Sequence, residues 1–293
     1  MTLTAEQRAN RACALGGSDC AAALGLSRFK TARELYHQKR GELPVELEET
    51  EWMEFGRFIE PYVRQRYAQM TGRTVRLPTG TLRHPEFPWM VAHVDGFSQD
   101  QQEFRGYEGK WIVIPRGYGE EGTDEVPLDA LLQCQHYTLV TGWPVFDVAT
   151  LAMGGKVKLY EVKADEEMQQ MIIDGEREFM RCVAAGEPPA LDYEHRTALD
   201  LLKRIYPGTD GRRVLADATC QLVRTEMEEA TSIEKQAKAT KNVYRAKLLD
   251  FMGEAALLVF ADGRSFRRMR IDKEAYTVEA SSYIDTRIIK TPH

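Results

Sequence analysis

Two adjacent prolines, Pro188-Pro189, separate stretches with different hydrophobic patterning, and this break constrains the fold more than any other feature of the chain. Proline fixes φ and has no backbone N–H, so neither a helix interior nor a central strand runs through such a pair. Before the prolines, the periodicity alternates between helix and strand. Gly16 to Gly25 reads as a glycine turn followed by a short alanine-rich helix, in which Ser18 caps a helix beginning at Asp19. Thr31-Ala32-Arg33-Glu34 has the form of a capping box opening a helix that stops at Gly41. Trp52, Phe55, Ile59, Val63 and Tyr67 recur at spacings of three and four, predicting an amphipathic helix from Glu51 to Met70, kinked at Pro61 and ended by Gly72. Strand and turn follow over 74–81, then a strand over 89–96 and another over 107–114. A helix over 128–141, strands over 145–152 and 157–162, and a helix over 165–185 complete the pattern. This order predicts an α/β core over residues 1–190, with a mixed β-sheet flanked by helices.

After the prolines, Leu215, Leu222, Met227, Ile233, Ala237, Tyr244, Leu248 and Phe251 mark one long helix with heptad-like spacing. Such a helix packs on its own domain or pairs in a coiled coil between chains. Leu257–Phe260, an Asp262-Gly263 turn and Ser265–Ile271 then read as a β-hairpin. Residues 191–293 therefore form an α+β C-terminal appendage of long helix and hairpin. The hairpin arginines Arg264, Arg267, Arg268 and Arg270 serve either as a solvated edge that discourages strand pairing or as a DNA or partner contact.

With 43% hydrophobic and 29% charged residues, the composition is that of a globular chain and excludes wholesale disorder. No run approaches the ~20 apolar residues of a membrane span, and the N-terminus lacks a signal-peptide apolar stretch, so a cytoplasmic protein with no membrane contact is expected. The five scattered cysteines have neither zinc-site nor redox spacing and are expected as free thiols. A net charge of −6 counts against a nonspecific DNA-coating protein but not against a nuclease, because a site that gathers carboxylates for a metal is acidic by construction.

The chemistry concentrates at Asp95-Gly96 and Glu108-Gly109-Lys110, each set on its own predicted strand. Two carboxylates brought together by neighbouring strands suit Mg²⁺, or alternatively Mn²⁺, and the Gly109 carbonyl is a further oxygen donor. Lys110 shares a strand face with Glu108. Hydrolysis of a phosphodiester needs a metal-activated water and positive charge where negative charge builds, and a lysine beside the metal supplies that charge. By itself the pattern is weak, since a surface ion pair on a sheet edge produces it more often than a metal site does.

Five ordered blocks decide between these readings: GGSDCAAALGLSRFKTARELY at 16–36, FGRFIEP at 55–61, HPEFPWMVAHVDG at 84–96, YEGK at 107–110 and QCQHYTLVTG at 133–142. Together they resemble the YqaJ-like viral recombinase family of phages, which includes the lambda-type exonuclease and has a PD-(D/E)xK, restriction-endonuclease-like core. The resemblance implies that Asp95, Glu108, the main chain of Gly109 and Glu60 hold metal. It makes Lys110 the catalytic lysine, places Gln133 in the site, and has Arg11 and Ser18 hold the 5′-phosphate of the strand being degraded. The implied activity is Mg²⁺-dependent 5′→3′ exonuclease action on linear double-stranded DNA ends, leaving 3′ overhangs for a single-strand annealing recombinase, with a homotrimer as the implied assembly. The alternatives are a structure-selective endonuclease of the same fold and a catalytically silent DNA-binding scaffold. Gly109 and Trp111 depart from the family's usual residues around the ExK triplet, which bears on pocket shape. His93 and His136 are read as packed or hydrogen-bonded residues outside the site.

Overall fold

The computed structural model describes residues 13–44, 51–100 and 103–272. It divides into two compact units, Met1–Pro207 and Gly208–His293. The division expected at 190/191 falls inside the first unit. A helix not expected from the sequence follows it there, Ala198–Ile205, whose Ala198, Leu201, Leu202 and Ile205 pack with Leu43 and Leu191.

In chain order the first unit contains α1 (Gly17–Ala23), α2 (Ala32–Lys39), α3 (Glu51–Thr71), β1 (Leu82–Arg83), β2 (Val91–Ala92), β3 (Gly96–Asp100) and β4 (Glu103–Ile112). It continues with α4 (Leu128–Thr141), β5 (Val145–Ala152), β6 (Val157–Lys163), α5 (Glu166–Ala185) and α6 (Ala198–Ile205). Local chemistry sets several of these limits. The Thr31 hydroxyl accepts from Glu34 N at 3.1 Å and caps α2, and the Asp165 carboxylate accepts from Met168 N at 2.8 Å and caps α5. Gly142 and Gly186, at φ 68° and 74°, end α4 and α5 in the left-handed conformation that glycine adopts without strain. Helix α3 runs unbroken through Pro61.

The central sheet has the order β3-β4-β5-β6, with β4 and β5 parallel and the outer pairs antiparallel. This is the expected α/β arrangement of a mixed sheet between helices. On one face Phe146, Val148, Tyr160 and Val162 pack with Cys20 of α1, Leu132 and Tyr137 of α4 and Ile172 of α5. On the other, Tyr107, Ala149 and Val157 pack with Val63 and Tyr67 of α3. Fully burying side chains of this size contributes about 1.5–3 kcal/mol each. The small residues of α1 permit close approach to α4: a Cβ on Gly17 would lie 2.5 Å from the Tyr137 ring.

Several strand expectations change: the strand expected over 107–114 is β4, Glu103–Ile112, and β3 occupies residues where a turn was expected. The region 74–81 supplies only an isolated bridge, Arg76 to Phe97, and the strand expected over 89–96 shortens to Val91–Ala92. Asp95 thus lies just before β3 and not within a strand. Gly96 follows it because the chain at Val75–Arg76 crosses closely there; a Cβ on Gly96 would sit 2.4 Å from Val75 Cγ1 and 3.1 Å from the Arg76 carbonyl oxygen.

The second unit's described elements are α7 (Ala218–Met252), capped by the Asp217 carboxylate on Cys220 N at 2.8 Å, and the hairpin β7 (Leu257–Val259) with β8 (Ser265–Arg267). The hairpin is shorter than expected, since the ladder ends at Arg267. Among the described residues no helix is long and apolar enough to cross a membrane.

Candidate active site

The ladder between β3 and β4 ends at Gly96 and Tyr107, which leaves the far half of β4 with an open edge on that side. Asp95 fills part of the gap with its side chain: the carboxylate accepts a hydrogen bond from Gly109 N at 2.9 Å. A strand residue's N–H and C=O face the same edge, so the Gly109 carbonyl also points toward Asp95. Gly109 is the residue that fits here, because a Cβ would lie 2.9 Å from the hydroxyl of the fully buried Tyr107 on the same face.

Glu108 and Lys110 project from the opposite face, toward α4. Lys110 Nζ is 2.6 Å from Glu108 Oε1 and donates to Gln133 Oε1 at 2.8 Å. Gln133 Nε2 in turn donates to the same Glu108 oxygen at 2.9 Å and approaches the Tyr137 hydroxyl at 3.0 Å. Gln133 thereby fixes the orientation of both charged groups. The second Glu108 oxygen, Oε2, is buried with no hydrogen-bond partner, an arrangement that costs free energy unless a further group binds it.

The electrostatics follow from burial. Burial pushes the Glu108 carboxyl up to about 7, opposed by Lys110 and reinforced by the Asp95 charge. Asp95 is also raised, by burial first, against the lowering effects of the Gly109 amide and Lys110. For Lys110, burial favours loss of the proton, but the adjacent Glu108 outweighs it and holds the ammonium charged. Glu60, on α3, is raised by burial and by the charge of Asp95, with Arg64 at 3.7 Å pulling the other way.

Asp95, Glu60 and Ser18 line one cavity of about 920 Å³. Ser18 lies inside α1 and makes no capping bond, since Gly16 is the residue that precedes the helix. Its place on the cavity wall is not that of a cap. Arg11 lies outside the described residues. The cavity also carries cations that no sequence motif singles out: Lys30, Lys39, Arg64 and Arg83. Of these, Lys39 is anchored by Asp19 at 2.8 Å and by the Ala14 carbonyl at 2.6 Å. Only Arg64 has a local signal, its i+4 spacing from Glu60. His93 lines the cavity and meets Thr81 Oγ1 at 2.9 Å, whereas His136 is fully buried with both ring nitrogens engaged.

The chemistry of the donors, though not a shared position for one ion, suits a hard divalent cation. The Asp95 charge acts on both Glu108 and Glu60, Glu108 has a buried oxygen without a hydrogen-bond partner, and these three carboxylates and the Gly109 carbonyl offer only oxygens, the donors that such a cation takes.

Residues 6–144 match the family model of the YqaJ-like viral recombinase domain. The chain is 29% identical over 245 residues to the YqaJ protein of Bacillus subtilis (strain 168), covering 80% of this chain and 75% of that one. Among solved structures, an alkaline exonuclease (LHK-Exo) from Laribacter hongkongensis is 20% identical, over 68% of this chain and all of that one, with a TM-score of 0.49. A phage related exonuclease from Haemophilus somnus 129PT is 11% identical over 59% of this chain and 96% of its own, with a TM-score of 0.44.

Proposed function

From the premise that this chain carries a YqaJ-like viral recombinase domain over residues 6–144, we propose that it is a divalent-metal-dependent DNA exonuclease that degrades the 5′-ended strand of linear duplexes. The observation that carries the reading is the pairing of Lys110 with a buried Glu108 whose second oxygen is unpartnered, next to Asp95.

In this reading Asp95, Glu108, the Gly109 carbonyl and Glu60 hold Mg²⁺. A bound Mg²⁺ lowers the pKa of a water and neutralises charge on the scissile phosphate. The chain's own groups do the rest. Lys110, kept charged by Glu108 and aimed by Gln133, orients the attacking water and faces the negative charge that builds on the phosphate oxygens. Ser18, Lys30 and Arg83 on the cavity wall position the backbone of the terminal nucleotide. Contacts of this kind grip phosphate without reading bases, so no sequence preference is expected.

The test is digestion of linear duplex DNA labelled at one 5′ end, with Mg²⁺ or with chelator, alongside a covalently closed circle. Metal-dependent loss of 5′ nucleotides from the linear substrate alone is expected, with Lys110→Ala slowing it at least ~10²-fold, the scale of losing one positioned charge. Cutting of circles would instead support the structure-selective endonuclease. Tight binding with no cleavage under any condition would support the silent scaffold.

A further inference from the structure

Charge is segregated along α7. Its first half carries Glu226, Glu228, Glu229 and Glu234 against Arg224, and from Lys235 onward the sign reverses with Lys235, Lys238, Lys241, Arg245 and Lys247. Spacings of three, three and four place Lys235, Lys238, Lys241 and Arg245 in one stripe, about 15 Å long at the helical rise. Among the described residues none of these four forms an ion pair with a carboxylate, even though Glu234 stands four residues before Lys238. Like charges stacked at helical spacing repel, so an uncompensated row is disfavoured in the isolated helix and satisfied by an anion from outside.

The same stretch of α7 forms a groove of about 760 Å³ with the hairpin. Lys241 and Arg245 border it, and Tyr244, Leu248 and Phe266 supply its apolar lining. Tyr244 as a residue is 61% exposed, with Lys247 Nζ 5.7 Å from its ring centroid. Phe266 of β8 turns into the groove; Arg264, Arg267, Arg268 and Arg270 lie in and around the same strand but do not line the groove. Arg264 and Arg270 are tethered by Asp262 and Asp272, and Arg268 by the Gly253 carbonyl. All this basic surface belongs to a protein of net charge −6.

A cationic border beside accessible aromatic rings is the combination that holds single-stranded nucleic acid: the cations follow the phosphates and the rings stack on bases. Duplex DNA would use the cations but leave the rings idle, because its bases are already stacked. We propose that the α7–hairpin groove of the second unit is a single-stranded DNA-binding site, with Lys238, Lys241 and Arg245 on the phosphates and Tyr244 and Phe266 against unpaired bases. The site does not depend on the catalytic reading, since it uses none of the residues assigned to cleavage.

The experiment is fluorescence anisotropy of a labelled oligothymidine and a duplex of equal length with the full chain carrying Lys110→Ala, in chelator, across a salt series. Groove substitutions are expected to weaken single-strand binding and to leave duplex binding by the first unit nearly unchanged. Adding Lys241→Ala with Arg245→Ala weakens single-strand binding at least ~10-fold and reduces the slope of log K against log salt by about 1.4, since each single-strand phosphate contact contributes about 0.7. Tyr244→Ala weakens binding by about 5- to 150-fold, the cost of one lost stack, and leaves the slope unchanged. Lys241→Arg with the groove otherwise intact retains affinity. Parental affinity and slope in both the double variant and Tyr244→Ala would overturn the proposal. So would an equal loss of duplex and single-strand binding in the groove variants, or full displacement of the oligonucleotide by polyglutamate at equal charge, which would mark a general polyanion surface. Every readout is of binding, so the result for the groove holds whether or not the chain cleaves DNA.

Discussion

Glu108 shows how one side chain links stability to function. Its carboxyl has an ordinary value of 4.5 and rises to about 7 in the folded protein, so between those values the folded state binds a proton that the unfolded state releases. The associated stability is fully present below about 4.5 and is lost as pH rises through about 7, where the buried carboxylate ionises. Chelator-treated protein is therefore expected to lose thermal stability between about pH 4.5 and 7 and to change little from this group above that. Glu108→Gln, which removes the titrating group, flattens that dependence, and Mg²⁺ restores the wild-type midpoint at about pH 8 by binding the ionised form. Thermal melts across pH, with and without Mg²⁺, check this; a wild-type decline identical to that of Glu108→Gln would dissociate the effect from this residue.

Among the elements, α4 is held by a polar bond in the core as well as by apolar contact. Fully buried His136 meets Glu176 Oε1 of α5 at 2.7 Å through Nδ1 and the Val91 carbonyl of β2 at 2.9 Å through Nε2. One ring thus ties α4 to α5 and to the strand that leads toward Asp95. Burial disfavours the imidazolium, but the Glu176 charge outweighs it and raises the histidine's pKa. His136→Ala leaves Glu176 buried without its partner and is expected to cost about 3–5 kcal/mol. Urea unfolding at neutral pH measures this, and a loss below about 1 kcal/mol would show that the pair does not bear on α4. The opposite face of the sheet is secured differently: Asp147 of β5 accepts from Tyr67 of α3 at 2.6 Å and pairs with Arg105 of β4 at 2.7 Å.

At the scale of the whole molecule, the two units differ in how their apolar residues are used. The first buries its core on both faces of a four-stranded sheet. In α7 only Met252 is buried, while Ile233, Tyr244 and Phe251 are exposed. Backbone hydrogen bonds with few buried contacts around them open locally at low free energy. Amides of α7 are therefore expected to exchange with solvent at least ~10²-fold faster than those of β5, by hydrogen exchange and mass spectrometry on the isolated chain. Comparable protection would reveal that α7 is covered by another surface, such as the partner helix of a coiled coil.

The helices over 128–141 and 166–185 and the strands over 145–152 and 157–163 are legible from the residues alone, because each carries its own period, cap or glycine stop in adjacent positions. The pairing of Glu108 with Lys110 on one face is equally local, a consequence of two-residue spacing on a strand. Helix α6 has helical spacing too, but it is short and follows the proline pair closely, so its pattern does not stand out. The residue types that carry the chemistry and the segments that are regular are thus written in the chain itself. Three-dimensional packing was needed to bring Asp95 to Gly109 from outside a strand, to turn Ser18 toward the same cavity as Glu60, and to add Lys30, Lys39 and Arg83 to them. Those relations depend on where sheet pairing stops and on how helices distant in sequence cross its open edge, and such long-range packing leaves no periodic trace in the residues it brings together.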